Sequence, residues 1–370
     1  MSPKPVVLAF LSALLFGVSV PLAKRLLGDI RPVALAGLLY LGAFIGLTAF
    51  KWAQGATRAR TEASPKDSST PDAERRAPRE AGLDKRDLPW LAGAVMAGGI
   101  VAPICLMAGL DRISGTSASL LLNFEAPATA LMAVFLFREN AGRRVWLGLA
   151  LMTFAGVLLT WAPGGGRIDI GGPALVLLAM FGWGLDNNLT RQIADKDPVQ
   201  IARIKGLAAG AVSTAAAFIL GRGFRLGLPA ACGLALGALC YGLSLVLFIR
   251  ALKGLGAFRT GALFSSGPFI GALASLLVLK DEWRWTTGAA GLLMVAAVLL
   301  LLGERHVHAH RHERMIHTHS HDHHDLHHSH THEGPIAEPH THEHVHEEML
   351  HVHGHWPDTH HRHGHGNPEI

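Results

Sequence analysis

The chain of 370 residues is 49% hydrophobic and only 16% charged, carries a formal net charge of +5, and holds all 24 of its histidines beyond Arg305. That balance excludes a soluble globular domain for the residues up to Arg305 and sets the tail apart as a second region of different chemistry. The basic excess does not read as a nucleic-acid surface, because Lys and Arg fall between apolar runs and form no interleaved basic and aromatic patch. Cys105, Cys232 and Cys240 each sit inside an apolar run, so neither a disulfide framework nor a Cys-based metal site is expected.

Apolar runs recur at 6–23, 32–50, 88–110, 116–137, 145–161, 173–189, 199–220, 228–249, 260–279 and 286–302. Each has about the length at which a helix rising 1.5 Å per residue crosses a bilayer core. They predict an all-α integral membrane protein of ten transmembrane helices. Gly and Ala abound within the runs, as small residues do where membrane helices must approach closely without a hydrophobic drive. The first run, preceded by Lys4, has the look of a signal peptide, but an internal copy argues against that. Phe16-Gly17, Lys24 and Pro32-Val33 match Trp183-Gly184, Arg191 and Pro198-Val199; Gly109-Leu110, Pro127 and Gly148 match Ala251-Leu252, Pro268 and Gly288. Two halves of five helices follow, and an odd number per half sends the second into the membrane in the opposite sense, the inverted-repeat plan. The expected domains are 1–161, with a disordered cytoplasmic loop at 53–87, then 171–303, then a disordered tail at 304–370. Lys and Arg are in excess on the side of the N-terminus, wholly because of residues 51–87, where Arg58, Arg60, Arg75, Arg76, Arg79, Lys85 and Arg86 sit among Ser, Pro, Asp and Glu. Both termini are therefore expected in the cytoplasm, and the chain in the cell (inner) membrane as a multi-pass protein.

The stretch Gly115-Thr-Ser-Ala-Ser-Leu-Leu-Leu-Asn-Phe-Glu-Ala-Pro127, continuing to Phe137-Arg-Glu-Asn140 and Gly148, resembles the end of an EamA repeat of the drug/metabolite transporter superfamily. Ala251-Leu252 through Pro268 to Asp281-Glu282 and Gly288 resembles the same motif a second time, and the resemblance covers residues 5–303. It implies ten helices in two inverted halves and a secondary carrier for small solutes. A subgroup sharing Gly184-Leu-Asp-Asn-Asn-Leu-Thr190, Pro198-Val-Gln-Ile-Ala202 and a His-rich C-terminus is closer still. One departure is Glu125-Ala-Pro127, where many relatives carry an adjacent Glu-Pro pair.

Glu125 is the candidate for coupling, since a carboxylate near the bilayer midplane costs a few kcal/mol unless paired, hydrated or protonated. A neutral carboxyl bonded to a neighbouring helix is the structural alternative. Asn123 is a candidate solute contact. Pro127 and its counterpart Pro268 are expected to break their helices and free a backbone carbonyl. Asp186, Asn187 and Asn188 fan over a wide arc of the sixth helix, so at least one must face protein. Lys205 either pairs with Asp186, holds an anionic solute, or extends with Arg203 to the headgroups. Arg138-Glu139 and Asp281 to Arg284 are assigned to helix ends. No nucleophile with its base and no Gly-rich phosphate cradle is apparent, so the chain does not read as an enzyme and transport needs no cofactor.

The leading reading is a secondary transporter of a small metabolite or drug-like solute, moved outward and linked to protons or facilitative. A divalent-metal exporter fed by the tail and a membrane-anchored metal buffer or sensor are the rivals. Expected partners are the bilayer, the solute and protons, with a homodimer left open and nucleic acid excluded. In the tail, His-x-His spacing in an extended chain puts alternate imidazoles on one side, which suits zinc, nickel, cobalt or copper. The candidate ligands are His317, His319, His321, His327, His328, His330 and His332, then His351, His353, His355, His360, His361, His363 and His365.

Overall fold

The computed structural model describes residues 3–63, 82–137, 143–160, 170–193, 196–302, 306–312, 315–321, 340–346 and 349–355. The helices are α1 (Pro3–Leu26), α2 (Pro32–Ala63), α3 (Lys85–Leu110), α4 (Gly115–Leu136), α5 (Arg143–Thr160), α6 (Gly171–Arg191), α7 (Pro198–Ile219), α8 (Leu228–Ala251), α9 (Gly267–Val278) and α10 (Trp285–Leu302). Among the described residues α3, α4, α7, α8, Lys4–Leu26 of α1 and Pro32–Ala53 of α2 are long and apolar enough to cross a membrane. Trp146–Leu159, Gly267–Val278 and Trp285–Leu301 are shorter apolar helices. Phe135, Phe154, Leu277, Leu292 and Leu299 are exposed on the outer faces, an arrangement that water would penalise and lipid does not.

Inside, α1 packs on α8 and α9, α6 packs on α3 and α4, and α2 lies between α7 and α8. The central core joins Leu35, Leu38 and Leu39 of α2 to Leu106, Met107 and Leu110 of α3 and to Met180 and Trp183 of α6. A second core, with Met152, Ala155, Met294 and Ala297, forms where α5 meets α10. Small residues set the spacing. A Cβ at Gly17 of α1 would strike the backbone of Gly267 in α9, so these helices can approach as they do only with glycine there. Helical backbone continues past α8 to Phe264, yet Phe248 and Phe264 have ring centroids 5.0 Å apart. One straight helix would separate residues so spaced by about 24 Å, so the chain turns back between them.

Polar contacts tie the helix ends. At one end Lys24 Nζ donates to Leu110 O (2.6 Å) and Asp111 O (3.2 Å), and Thr116 N and Oγ1 both donate to Asp281 at 2.8 Å. The first contact caps the C-terminus of α3 with a cation and the second caps the N-terminus of α4 with an anion, each the favourable sign for the helix dipole. At the other end Lys51 reaches Asp197 (2.5 Å), and Lys196 reaches Asp84 (3.2 Å) and Asp87 (3.6 Å).

Three expectations change. Helix α2 runs on to Ala63, into the loop expected to be disordered from residue 53, because its Ala, Gln, Arg and Glu residues are good helix formers, and Lys85–Asp87 forms a 3-10 turn opening α3. Residues 64–81 lie outside the described residues. The tail, expected to be disordered, forms four strands: β1 (His306–His312), β2 (Met315–His321), β3 (His340–His346) and β4 (Met349–His355), with β1 antiparallel to β4 and β2 to β3. The described membrane part, residues 3–302, is helical as expected, and the strands belong to the tail alone. Alternation places β-favouring Val307, Val345 and Val352 between histidines, which is a strand's period of two. Finally, α3 and α8 each contain a π-helical turn, Val95–Val101 and Gly237–Leu243, that apolar patterning does not signal.

Candidate functional site

The last turns of α6 carry Trp183, Asp186, Asn187, Asn188 and Thr190, and α3, α4 and α7 receive them. Lys205 of α7 donates to both carboxylate oxygens of Asp186 at 2.5 and 2.6 Å, and Thr190 Oγ1 donates to Oδ1 at 2.9 Å. The two charged side chains are only 10% and 16% exposed, Asp186 and Lys205 respectively. A pair so enclosed holds together only with good geometry and further donors, which the two short bonds and Thr190 provide. Asp186 lies flat against Gly98 of α3, where a Cβ would overlap the carboxylate.

Gly98 belongs to the π turn, and its carbonyl has been released from the helix. Ala102 N–H, which would bond Gly98 O in an α-helix, bonds Ala97 O instead. The next residue is Pro103, which has no N–H to offer. Two side chains take up the orphaned acceptor: Tyr40 Oη of α2 at 2.8 Å and Trp183 Nε1 of α6 at 3.0 Å. Sequence reasoning missed Tyr40, Trp183, Gly98 and Pro103. A proline inside an apolar run was the available signal for the released carbonyl. The scarcity of tyrosine was another, since the chain has two, Tyr40 and Tyr241, and their rings meet at 6.2 Å.

Helix α4 is broken by a 3-10 turn at Leu122–Phe124, and Glu125 begins the segment beyond it. Asn187 Nδ2 donates to Glu125 Oε1 at 3.0 Å and to Thr129 Oγ1 at 3.2 Å, while Thr129 Oγ1 donates to the Glu125 carbonyl at 2.8 Å. Asn188 Nδ2 donates to Thr129 O (3.0 Å) and Gly184 O (2.8 Å), fastening α6 to α4. Glu125 is partly buried and Asn187 exposed, so the carboxylate sits at an accessible edge of the cluster. Among the described residues no cation lies within ion-pair distance of it.

The structure therefore brings Glu125, Asp186, Asn187, Asn188 and Lys205 together. Asn123 stands apart: it is buried and donates to Leu120 O at 3.0 Å within its own turn. Pro127 and Pro268 each follow an interrupted segment, the turn at 122–124 and the turn at Ser265 and Ser266, and both are buried. Arg203 donates to Thr48 of α2 at 3.2 Å. Arg138, Glu139, His327, His328, His330, His332, His360, His361, His363 and His365 lie outside the described residues. His317, His319, His321, His351, His353 and His355 occupy strand positions in the tail. Among the described residues no group of three His, Cys, Asp or Glu side chains converges as a metal site would.

The model of the EamA-like transporter family matches residues 3–162 and 170–303. A protein of Methanothermobacter thermautotrophicus described as an uncharacterized transporter is 26% identical over 298 residues, 78% of this chain and 83% of its own. An uncharacterized protein of Pseudomonas aeruginosa is 31% identical over 199 residues, 54% of this chain and 68% of its own. A solved crystal structure with 17% identity superposes with a TM-score of 0.54, over 81% of this chain and 96% of the other, which speaks to the fold alone.

Proposed function

The chain belongs to the EamA-like transporter family and is a multi-pass membrane transporter, and from that premise we propose a proton-linked secondary carrier that moves a small polar metabolite or drug-like solute outward. In this reading ten helices cross the inner membrane as two inverted halves, α1–α5 and α6–α10, with both termini in the cytoplasm. The packing supports it, because each contact has a counterpart five helices on: α1 on α8 and α9 corresponds to α6 on α3 and α4. The π turns support it too, since they sit 142 residues apart, the offset of the sequence match between Gly109 and Ala251.

The observation that carries the mechanism is the pairing state of the three charges. Asp186 and Lys205 neutralise one another, and Glu125 keeps an amide donor, Asn187, instead of a cation. A carboxylate so placed in a membrane is free to take a proton, and a donor group of the solute competes with that proton for the same oxygens. Proton entry from outside and solute entry from inside then alternate at one site. Asn187 moves with α6 and Thr129 with α4, so a shift between these helices changes the hydrogen bonding of Glu125 and links its charge to the conformation.

The tail, in this reading, binds divalent zinc, nickel, cobalt or copper on the cytoplasmic side and is not needed for turnover. The test is purified protein in proteoliposomes with an imposed pH gradient and a panel of amino acids and organic cations as probes. Wild-type protein is expected to dissipate the gradient with at least one of them, and Glu125→Gln to lower that flux more than tenfold while eluting as the same folded species. Full, unchanged pH-dependent flux in the variant would overturn the coupling role.

A further inference from the structure

The pairing of the tail strands turns a run of histidines into a ladder. In β1 and β4 the register sets His306 against His355, His308 against His353 and His310 against His351. In β2 and β3 it sets His317 against His344, His319 against His342 and His321 against His340. Intervening rungs hold none: Val307 faces Gly354, Ala309 faces Val352, Ile316 faces Val345 and Ser320 faces Thr341. In these six rungs histidine stands opposite histidine, whereas His312 and His346 stand opposite Met349 and Met315.

Along one strand, alternate residues stand about 6.5 to 7 Å apart, and a third histidine on the same side is twice as far. A lone His-x-His strand therefore offers an ion two neighbouring positions. Across an antiparallel pair, opposite Cα atoms lie about 4.5 to 5.5 Å apart. Two successive histidine rungs, separated by one rung without histidine, then place four histidine positions at the corners of a small rectangle, which is the number a closed tetrahedral zinc site takes. We propose that the tail's metal sites are built this way, by four histidines on two successive histidine rungs drawn from two strands, so that β1 depends on β4 and β2 on β3 for their ligands. This rests on the reading that the tail binds metal and specifies how.

The nesting has a consequence for order. An isolated two-stranded ladder is marginal in water. An ion that takes imidazoles from both strands ties them together, so binding and strand pairing become one transition. The two ladders also bring residues 349–355 back beside 306–312, directly after α10. A metal-loaded tail is then a short knot at the membrane face instead of a long polymer.

Two measurements on the full-length protein in detergent at pH 7.5 test it. Zinc affinity, read by chelator competition, is compared between wild type and a variant with His340, His342, His344, His351, His353 and His355 all changed to Asn. Zinc-promoted oxidation is compared between the register pair Ala309→Cys with Val352→Cys and the off-register pair Ala309→Cys with Thr341→Cys, cross-links being read by mass spectrometry. The ladder predicts that affinity at β1 and β2 falls more than tenfold and that only the register pair cross-links faster with zinc. Unchanged affinity with fewer ions bound, or equal cross-linking of the two pairs, would overturn the ladder and leave binding by single strands. Absence of zinc binding to the wild type would instead remove the metal-binding tail itself.

Discussion

Helices α3 and α8 carry the same irregularity and put it to different use. Each has a π turn in its middle, and at the end of each the N–H of the capping residue reaches back five positions, Ala102 to Ala97 and Ser244 to Leu239. In α3 the following residue is Pro103, so the Gly98 carbonyl is left to Tyr40 and Trp183; in α8 it is Leu245, which keeps its N–H. The crossings differ likewise. Helix α1 is fastened to α8 by Ser12, which donates to the Ser244 carbonyl at 2.7 Å, and by Ser244, which donates to the Ser12 carbonyl at 2.9 Å. Helix α6 brings Asp186 against α3, whereas the residue in the same place in the α1 copy of the motif is Ser19, bonded to its own helix at Phe16 O. A common backbone irregularity thus provides room at two crossings, and a proline and a carboxylate give one of them a released carbonyl and an enclosed charge.

The largest expected effect comes from breaking the charged crossing on one side only. Lys205→Met leaves Asp186 enclosed without its cation and is expected to lower stability by about 3 to 5 kcal/mol, read as thermal unfolding in detergent. Combining it with Asp186→Leu should restore most of that stability but no transport. Equal instability of single and double variants would mean that the pair does not act as a unit.

Adding a side chain comes next. Gly98→Val should cost about 1 to 3 kcal/mol and abolish transport, because its Cβ meets the Asp186 carboxylate. Cys240→Val, at the matching place in α8, should leave transport within about twofold, with folding yield and flux as the readouts. Similar damage at both positions would erase the distinction between the crossings. A gentler change is Pro103→Ala, which gives the π turn a donor that competes with Tyr40 and Trp183 for the Gly98 carbonyl. Stability should move by no more than about 1 kcal/mol while flux falls; unaltered flux would make the released carbonyl merely structural.

The smallest effect tests the charged end instead of the centre. Burial raises the proton affinity of Asp197, but Lys51 and the Gln200 and Val199 N–H groups outweigh it and hold the carboxyl below the usual range. A depressed folded value means that the stabilisation is present above the unfolded carboxylate pKa of about 3.9 and is lost as pH falls through the lower folded value. Asp197→Asn should therefore melt below wild type at pH 6, and the gap should narrow only as pH falls below about 3.9. A gap that does not narrow on acidification would assign the loss to the helix cap alone.

Legibility in the sequence varied with the kind of information each feature needs. Apolar run length and the paired motifs revealed the helices and the family, because the bilayer imposes them residue by residue along the chain. Glu125, Asp186 and Lys205 were visible as charges in apolar surroundings, and the spacing of His-x-His was visible as a period of two. Asn123 and Glu125 show where such reading stops: a polar residue in an apolar run must be satisfied, but sequence does not say whether by its own turn, as Asn123 is at Leu120 O, or by another helix, as Glu125 is by Asn187.

What the sequence determined alone is therefore a membrane transporter of the EamA-like family with charges in apolar runs and a histidine tract, since composition and period suffice for the runs, the charges and the tract, and the paired motifs carry the resemblance to the family. Tertiary structure decided which groups meet. Asp186 finds Lys205 and Gly98, Asn187 finds Glu125, and the freed carbonyl finds Tyr40 and Trp183 only because α2, α3, α4, α6 and α7 pack at one point. Strand register likewise decided that His308 faces His353. These are contacts between residues far apart in the chain, set by how closely helices approach and how strands align, and no local pattern encodes that distance.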